Sequence, residues 1–170
     1  MGNPYIYGGC QHVLMVAEII PYKAQYAGHF RDLNLAWLTT YFEVEEKDRM
    51  LLENCQEHIL DPGGRIFFAT LQDEIVGCFA LIKLKEGVFE LGKMAVDPCY
   101  QGMKIGQMLL EFAIGFAREQ QWKKIVLYSS SKLPAALHIY RKFGFVEVNL
   151  QKNNPYKRSD IKMELVLNTK

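Results

Sequence analysis

An excess of charge of either sign is what this chain most plainly lacks. Its 20 basic and 19 acidic side chains leave a net charge of +1, which gives no electrostatic footprint for a nucleic-acid partner. Long apolar runs are missing too. No stretch approaches the roughly 18 consecutive apolar residues of a membrane span, so no membrane partner is expected. The opening "MGNPYIYGGCQHVLMVAEII" has no basic n-region, and its apolar run from Val13 is broken by Glu18, unlike a secretory signal. Cysteines are few and scattered: Cys10, Cys55, Cys78 and Cys99 form no CxxC pair. Reduced thiols in a cytoplasmic protein are the expectation. His12, His29, His58 and His138 show no ligand spacing, so no metal is expected. Neither GxxxxGK[ST] nor GxGxxG occurs, which excludes a Walker loop and a dinucleotide fingerprint.

What is present reads as one globular domain over residues 1–170, with residues 1–12 a loose lead-in and Met15 an alternative start. Apolar residues make up 49% and charged residues 23%, the balance of a packed core with a solvated surface. Val13 to Ile20 reads as a strand ending at Pro21. Apolar residues then fall at helical steps from Ala24 to about Tyr41, and "VEEKDRMLLENCQEHIL" reads as one second helix stopped by "DPGG". The early acids Glu45, Glu46 and Asp48 suit the positive end of that helix, or form a rim that attracts an amine. The period then changes. "RIFFATL", "IVGCFALIKL" and "VFELGKMAV" read as three strands, "KKIVLYS" as a buried one, and "FVEVNL" and "DIKMELVL" as a closing pair. Helices separate the third, fourth and fifth of these strands. This order predicts an α/β (α+β) fold with a mixed, mostly antiparallel central sheet, one crossover, and flanking helices.

"VDPCYQGMKIGQMLLEFAIGFARE", Val96 to Glu119, carries the functional signal. A strand stops at Pro98, Gly102 and Gly106 follow, and an amphipathic helix begins. Ile105, Met108, Leu109, Phe112, Ala113 and Phe116 recur at steps of three and four, so that stripe is core. The helix start is different. Its first backbone N–H groups have no helical acceptor and the dipole there is positive, so an anionic phosphate can dock. Glycines there permit close approach of a ligand, although glycines open many ordinary turns.

This stretch resembles the main motif of the GNAT N-acetyltransferase family, in which a V-x-P strand end precedes [QR]-x-x-G-x-[GA] at a helix start. Here the loop is Gln101-Gly102-Met103-Lys104-Ile105-Gly106, with Lys104 at the motif's first glycine. A right-handed helical backbone at that position would suit lysine, and a positive φ would not. "SSSKLPAALHIYRKFGF" is similar to the family's second motif through Ala136, Leu137, Tyr140, Gly144 and Phe145. The asparagine often found near that helix's start is absent here.

The resemblance implies a GNAT-like acyl-CoA N-acyltransferase fold and acetyl-CoA as co-substrate, its acetyl group passing directly to an amine. The alternative is a non-catalytic acyl-CoA-binding sensor. It also implies that Met94, Ala95 and Val96 hold the pantetheine arm, and that Gln101, Gly102, Met103, Lys104, Ile105 and Gly106 hold the pyrophosphate. Tyr140 matches the tyrosine that protonates the leaving thiolate; read blind, it is a core tyrosine. Glu90 stands where some members carry a glutamate that takes the amine's proton, and strand alternation puts it on one face with Gly92, Met94 and Val96. A structural carboxylate paired with a lysine or arginine is the equal alternative. Tyr156 and Arg158, in "QKNNPYKRSD", lie where relatives place acceptor contacts, and Lys152, Lys157 and Arg158 would suit an acceptor carrying a carboxylate or phosphate. Cys99 has no activating histidine beside it, which disfavours a covalent intermediate. The acceptor, a small molecule or a peptide amine, is left open, as is pairing into a homodimer.

Overall fold

The computed structural model describes residues 16–167. The lead-in, Met15 and the start of the strand expected from Val13 lie outside them. The elements follow the expected order: β1 (Glu18–Pro21), α1 (Ala27–Tyr41), α2 (Glu46–Glu53), β2 (Arg65–Leu71), β3 (Glu74–Lys85), β4 (Val88–Val96), α3 (Ile105–Glu119), β5 (Lys124–Ser129), α4 (Pro134–Lys142), β6 (Val146–Val148) and β7 (Ile161–Val166).

The strands form one seven-stranded sheet in the order β1-β2-β3-β4-β5-β7-β6. Every neighbouring pair is antiparallel except β4 and β5. The helix α3 supplies the single crossover that a parallel pair requires. On one face α3 buries Ile105, Leu109, Leu110, Ala113, Ile114 and Ala117 against Phe79, Leu81, Phe89, Leu91 and Ile125 of the sheet. On the other face α1 and α2 bury Phe30, Leu38, Leu51 and Leu52 against Ile66, Phe68, Cys78 and Ala80. Apolar alternation along β2 and β3 serves both layers at once.

Two expectations about elements are corrected. The second helix does not run unbroken to Leu60. It ends at Glu53, where Asn54 leaves helical geometry with φ −128° and ψ 52°, and a separate wide turn covers Gln56–Leu60. Asparagine's short amide competes with the helical backbone, which makes it a stop that periodicity alone does not reveal. The alternation of β4 also fails. Lys93 has φ 52°, and the register against β3 jumps from Ala80↔Gly92 to Cys78↔Ala95, placing one extra residue in β4. Such a bulge moves every later side chain to the opposite face. Glu90 and Gly92 therefore face the α1–α2 layer, whereas Met94 and Val96 pack against the α3 layer and Ala95 against the α1–α2 layer.

The same bulge opens the sheet. β4 and β5 pair only at Val88↔Lys124, Phe89↔Ile125 and Glu90↔Val126. Beyond that, β4 stays with β3 as far as Val96, and β5 stays with β7 as far as Ser129. From Leu91 onward the two strands part, and among the described residues one edge of β4 has no strand beside it.

Candidate active site

The parted strands bound a cavity of about 260 Å³, walled by Glu90–Val96 of β4, Tyr128–Ser130 at the end of β5, Asn34, Trp37 and Leu38 of α1, and Tyr156 and Arg158 of the β6–β7 loop. A second cavity, of about 340 Å³, lies over the start of α3 and is bordered by Gln101, Gly102, Lys104, Ile105 and Gly106. Met94, Val96, Gln101, Ala136 and Tyr140 border both, so the two cavities adjoin at these residues. Of the predicted loop residues, Met103 alone borders neither cavity; it is exposed.

The loop before α3 is held by its own hydrogen bonds. Asp97 Oδ1 accepts from the Cys99 N–H at 2.8 Å, and the Tyr100 hydroxyl donates to Glu74 Oε2 at 2.8 Å. Gly102 has φ +82°, which glycine adopts readily. Lys104, the residue before α3, has φ 58° and ψ 21°. Its backbone is therefore left-handed, the geometry in which a motif glycine is unstrained and lysine carries a cost of about 1–2 kcal/mol. The departure from the motif is one of strain and added charge; the trace of the loop is still one that glycine would follow. An added Cβ at Gly106 would meet only Val96 Cγ2, at 3.9 Å, so the space above the helix start is open.

Tyr140 projects from α4 and packs edge-on against Phe145, with ring centroids 6.0 Å apart. Its hydroxyl makes no hydrogen bond with the described residues, and burial pushes its pKa up. The phenol is therefore protonated at neutral pH and able to donate.

Glu90 is 2% exposed. Its Oε1 accepts a hydrogen bond of 2.9 Å from the Tyr156 hydroxyl, and its Oε2 is buried without a partner among the described residues. It forms no ion pair among the described residues. Burial raises its pKa, and the charges of Lys47, Lys93 and Arg158 oppose the rise. Gly92 makes room for it, because a Cβ there would lie 3.2 Å from Glu90 Oε1.

Sequence reasoning missed the ionic cluster beside Glu90. Lys93 Nζ donates to Asp48 Oδ1 at 2.6 Å, and Arg158 holds both oxygens of the same carboxylate at 2.6 and 2.9 Å. Arg158 also bonds Glu45 Oε2 at 3.0 Å, and the backbone N–H of Lys157 donates to Glu45 Oε1 at 2.8 Å. Burial alone would raise the Asp48 pKa, but Arg158 and Lys93 hold it down to about 2. Desolvation lowers the Lys93 pKa, against the pull of Asp48. Asp48 is fully buried, so it is no part of an amine-attracting rim. Arg158, expected to meet an acceptor, has its guanidinium bound to two carboxylates of α2 and its cap. The ring of Tyr156 lies beneath three cations, with Lys93 Nζ and Arg158 Cζ each 4.7 Å and Lys47 Nζ 4.9 Å from its centroid. A lysine within an apolar strand, three residues after Glu90, was the available signal for this cluster.

The sequence profile of the acetyltransferase (GNAT) family matches residues 31–145. The chain belongs to that family. A GNAT-family structure from Staphylococcus aureus Mu50 superposes with a TM-score of 0.80 at 28% identity, covering 90% of this chain and 100% of that one. The spermidine N-acetyltransferase of Vibrio cholerae, solved with CoA and spermine, has a TM-score of 0.70 at 21% identity and shares the GNAT fold over 88% of this chain and 95% of its own. Among curated proteins, the N-acetylaspartate synthetase of Xenopus tropicalis is 31% identical over 96 residues, which is 56% of this chain and 35% of that protein. The chain spans about a third of the length of the first curated relatives it matches.

Proposed function

We propose that this GNAT protein is an N-acetyltransferase that moves an acetyl group directly from acetyl-CoA to an amine. One observation carries the reading: two adjoining cavities lead from the open start of α3, along the unpaired edge of β4, to a buried carboxylate oxygen without a partner among the described residues. Adjoining cavities alone would fit a sensor, but an unsatisfied buried oxygen is costly and suits a group that brings a proton.

The residues divide the work by position. Backbone N–H groups at the start of α3, from Ile105 to Gln107, meet the pyrophosphate, with Gln101 and Gly102 shaping the approach. The free edge of Met94–Val96 holds the pantetheine arm as a neighbouring strand would. Glu90 Oε2 takes the proton of the attacking amine, directly or through one water, and its raised pKa suits it as a base. As the C–N bond forms and the C–S bond breaks, the Tyr140 hydroxyl gives its proton to the departing thiolate. A fold shared with a protein named spermidine N-acetyltransferase, and partial sequence similarity to one named N-acetylaspartate synthetase, support an amine acceptor.

Release of free CoA from acetyl-CoA, measured across a panel of amines, tests the assignment. Amine-dependent release is expected, and Tyr140→Phe should lower turnover on the order of 10²-fold while acetyl-CoA binding is retained. Tight binding without release for any amine or peptide would favour the sensor. Unchanged turnover in the phenylalanine variant would return Tyr140 to a packing role.

A further inference from the structure

We infer that the acceptor is a primary amine on an uncharged, apolar stem, and that Asp48, with Glu45 beside it, sets this preference by pairing the two cations that line the acceptor pocket. The inference rests on the acetyltransferase reading and names the substrate class of the same site.

Among the described residues lining the cavity, Lys93 and Arg158 are the only cationic ones. Both are engaged by Asp48, whose side chain is 0% exposed, with Lys93 at 4%. Arg158 uses a second bond on Glu45, and both cations lie over the Tyr156 ring. A carboxylate on the acceptor would therefore enter a pocket whose two lining cations are already paired, leaving it desolvated without a close partner. An α-amino acid fares worse. Its carboxylate sits on the carbon beside the amine, so delivering the nitrogen to Glu90 Oε2 brings two carboxylates together where the dielectric is low.

A second ammonium on the acceptor meets the converse problem. Glu90 is the only carboxylate among the described lining residues, and it receives the reacting nitrogen. What remains for the stem is the wall of Trp37, Leu38, Phe42 and Tyr128. Those surfaces reward apolar contact.

The test compares kcat/KM for 2-phenylethylamine, L-phenylalanine, L-aspartate and 1,4-diaminobutane, using CoA release by the full chain. 2-Phenylethylamine and L-phenylalanine differ only in the carboxylate, and the amine is expected to win by roughly 100-fold or more. Equal or better turnover of either amino acid would overturn the inference, and so would a preference for the diamine. Release with polyamines or peptides but not with 2-phenylethylamine would also overturn it, while leaving the acetyltransferase reading intact. No release with any amine, despite acetyl-CoA binding, would instead remove that reading and this inference with it.

Two variants probe the role of Asp48. Asp48→Asn should free Lys93, leave Arg158 on Glu45 alone, and narrow the amine-to-amino-acid ratio at least about 10-fold; an unchanged ratio in folded protein would dismiss Asp48 as the determinant. Arg158→Gln keeps Asp48 paired with Lys93 and answers the question should Asp48→Asn fail to fold. Its ratio should not change, and a loss confined to L-phenylalanine would show that Arg158 reads carboxylates and that Asp48 does not silence it.

Discussion

Glu90 has one oxygen held by a phenol and the other held by nothing among the described residues, and its chemistry follows from that asymmetry. Because its pKa is raised, its neutral form is favoured in the fold. Activity should rise with pH through that elevated value. Folding stability from this group runs the other way, being fully present below the unfolded carboxylate pKa and lost as pH rises through the folded one. Glu90→Gln keeps the bond from Tyr156 and removes the charge. At neutral pH its melting temperature should hold or rise, while turnover falls and recovers in part at alkaline pH, where more acceptor is already neutral. A destabilised variant without alkaline recovery would make Glu90 a structural carboxylate. The position of Glu90 was legible in the sequence as a carboxylate within an apolar strand. Its neighbours on the face were not, because a positive φ at a lysine leaves no trace in an alternating pattern. Lys104 is the second case: the motif located it, but only the backbone angle shows that it occupies a glycine geometry.

At the scale of elements, α3 was the most legible part of the chain, since six core positions recur at helical spacing and two glycines mark its start. Its predicted role is local to its first turn. Gly106→Glu puts bulk and negative charge into the open space above the helix start, where the phosphates are proposed to dock. A ligand that binds only folded protein raises the melting temperature by mass action. Acetyl-CoA should therefore raise the melting temperature of the natural sequence and fail to raise that of the variant. A preserved shift would place the phosphates elsewhere. The clamp between α2 and the β6–β7 loop was illegible for a different reason. Its partners, Asp48 and Arg158, are separated by 110 positions, and acids early in a helix have a sufficient local explanation in the dipole. The sequence reads this segment as acceptor contacts with cations to spare; in the fold its arginine is fastened to a helix.

Over the whole molecule, that clamp sets an acid limit. Asp48 is held at about 2 against an ordinary 3.8, so its contribution is present above about pH 4 and is lost as pH falls toward 2. The shift corresponds to about 2 kcal/mol at most, less where solvent screens the Arg158 side. Chemical denaturation at pH 5 and pH 3 should show a loss of about half this size, about 1 kcal/mol, in the natural sequence and a smaller one in Asp48→Asn. Equal pH dependence in both would place the acid-labile group elsewhere. The order of elements and the single crossover were readable from periodicity and length. The place of β7 was not, because nothing local says which strand it will join.

The placement of β7 has a consequence for how the chain assembles as it is made. β6 leaves the ribosome first, yet its partner in the sheet is β7, which pairs on its other side with the whole of β5 from Lys124 to Ser129. Until Ile161–Val166 has emerged, β5 presents a bare edge and β6 has nothing to pair with, a state prone to wrong partners. The contacts that close the sheet also join distant parts of the chain, which slows their formation. Tyr156 and Arg158 lie between these two strands, so a nascent chain can assemble the β4–α3 half of the site long before it has the wall opposite. A partly synthesised protein would have a place for the donor and none for the acceptor.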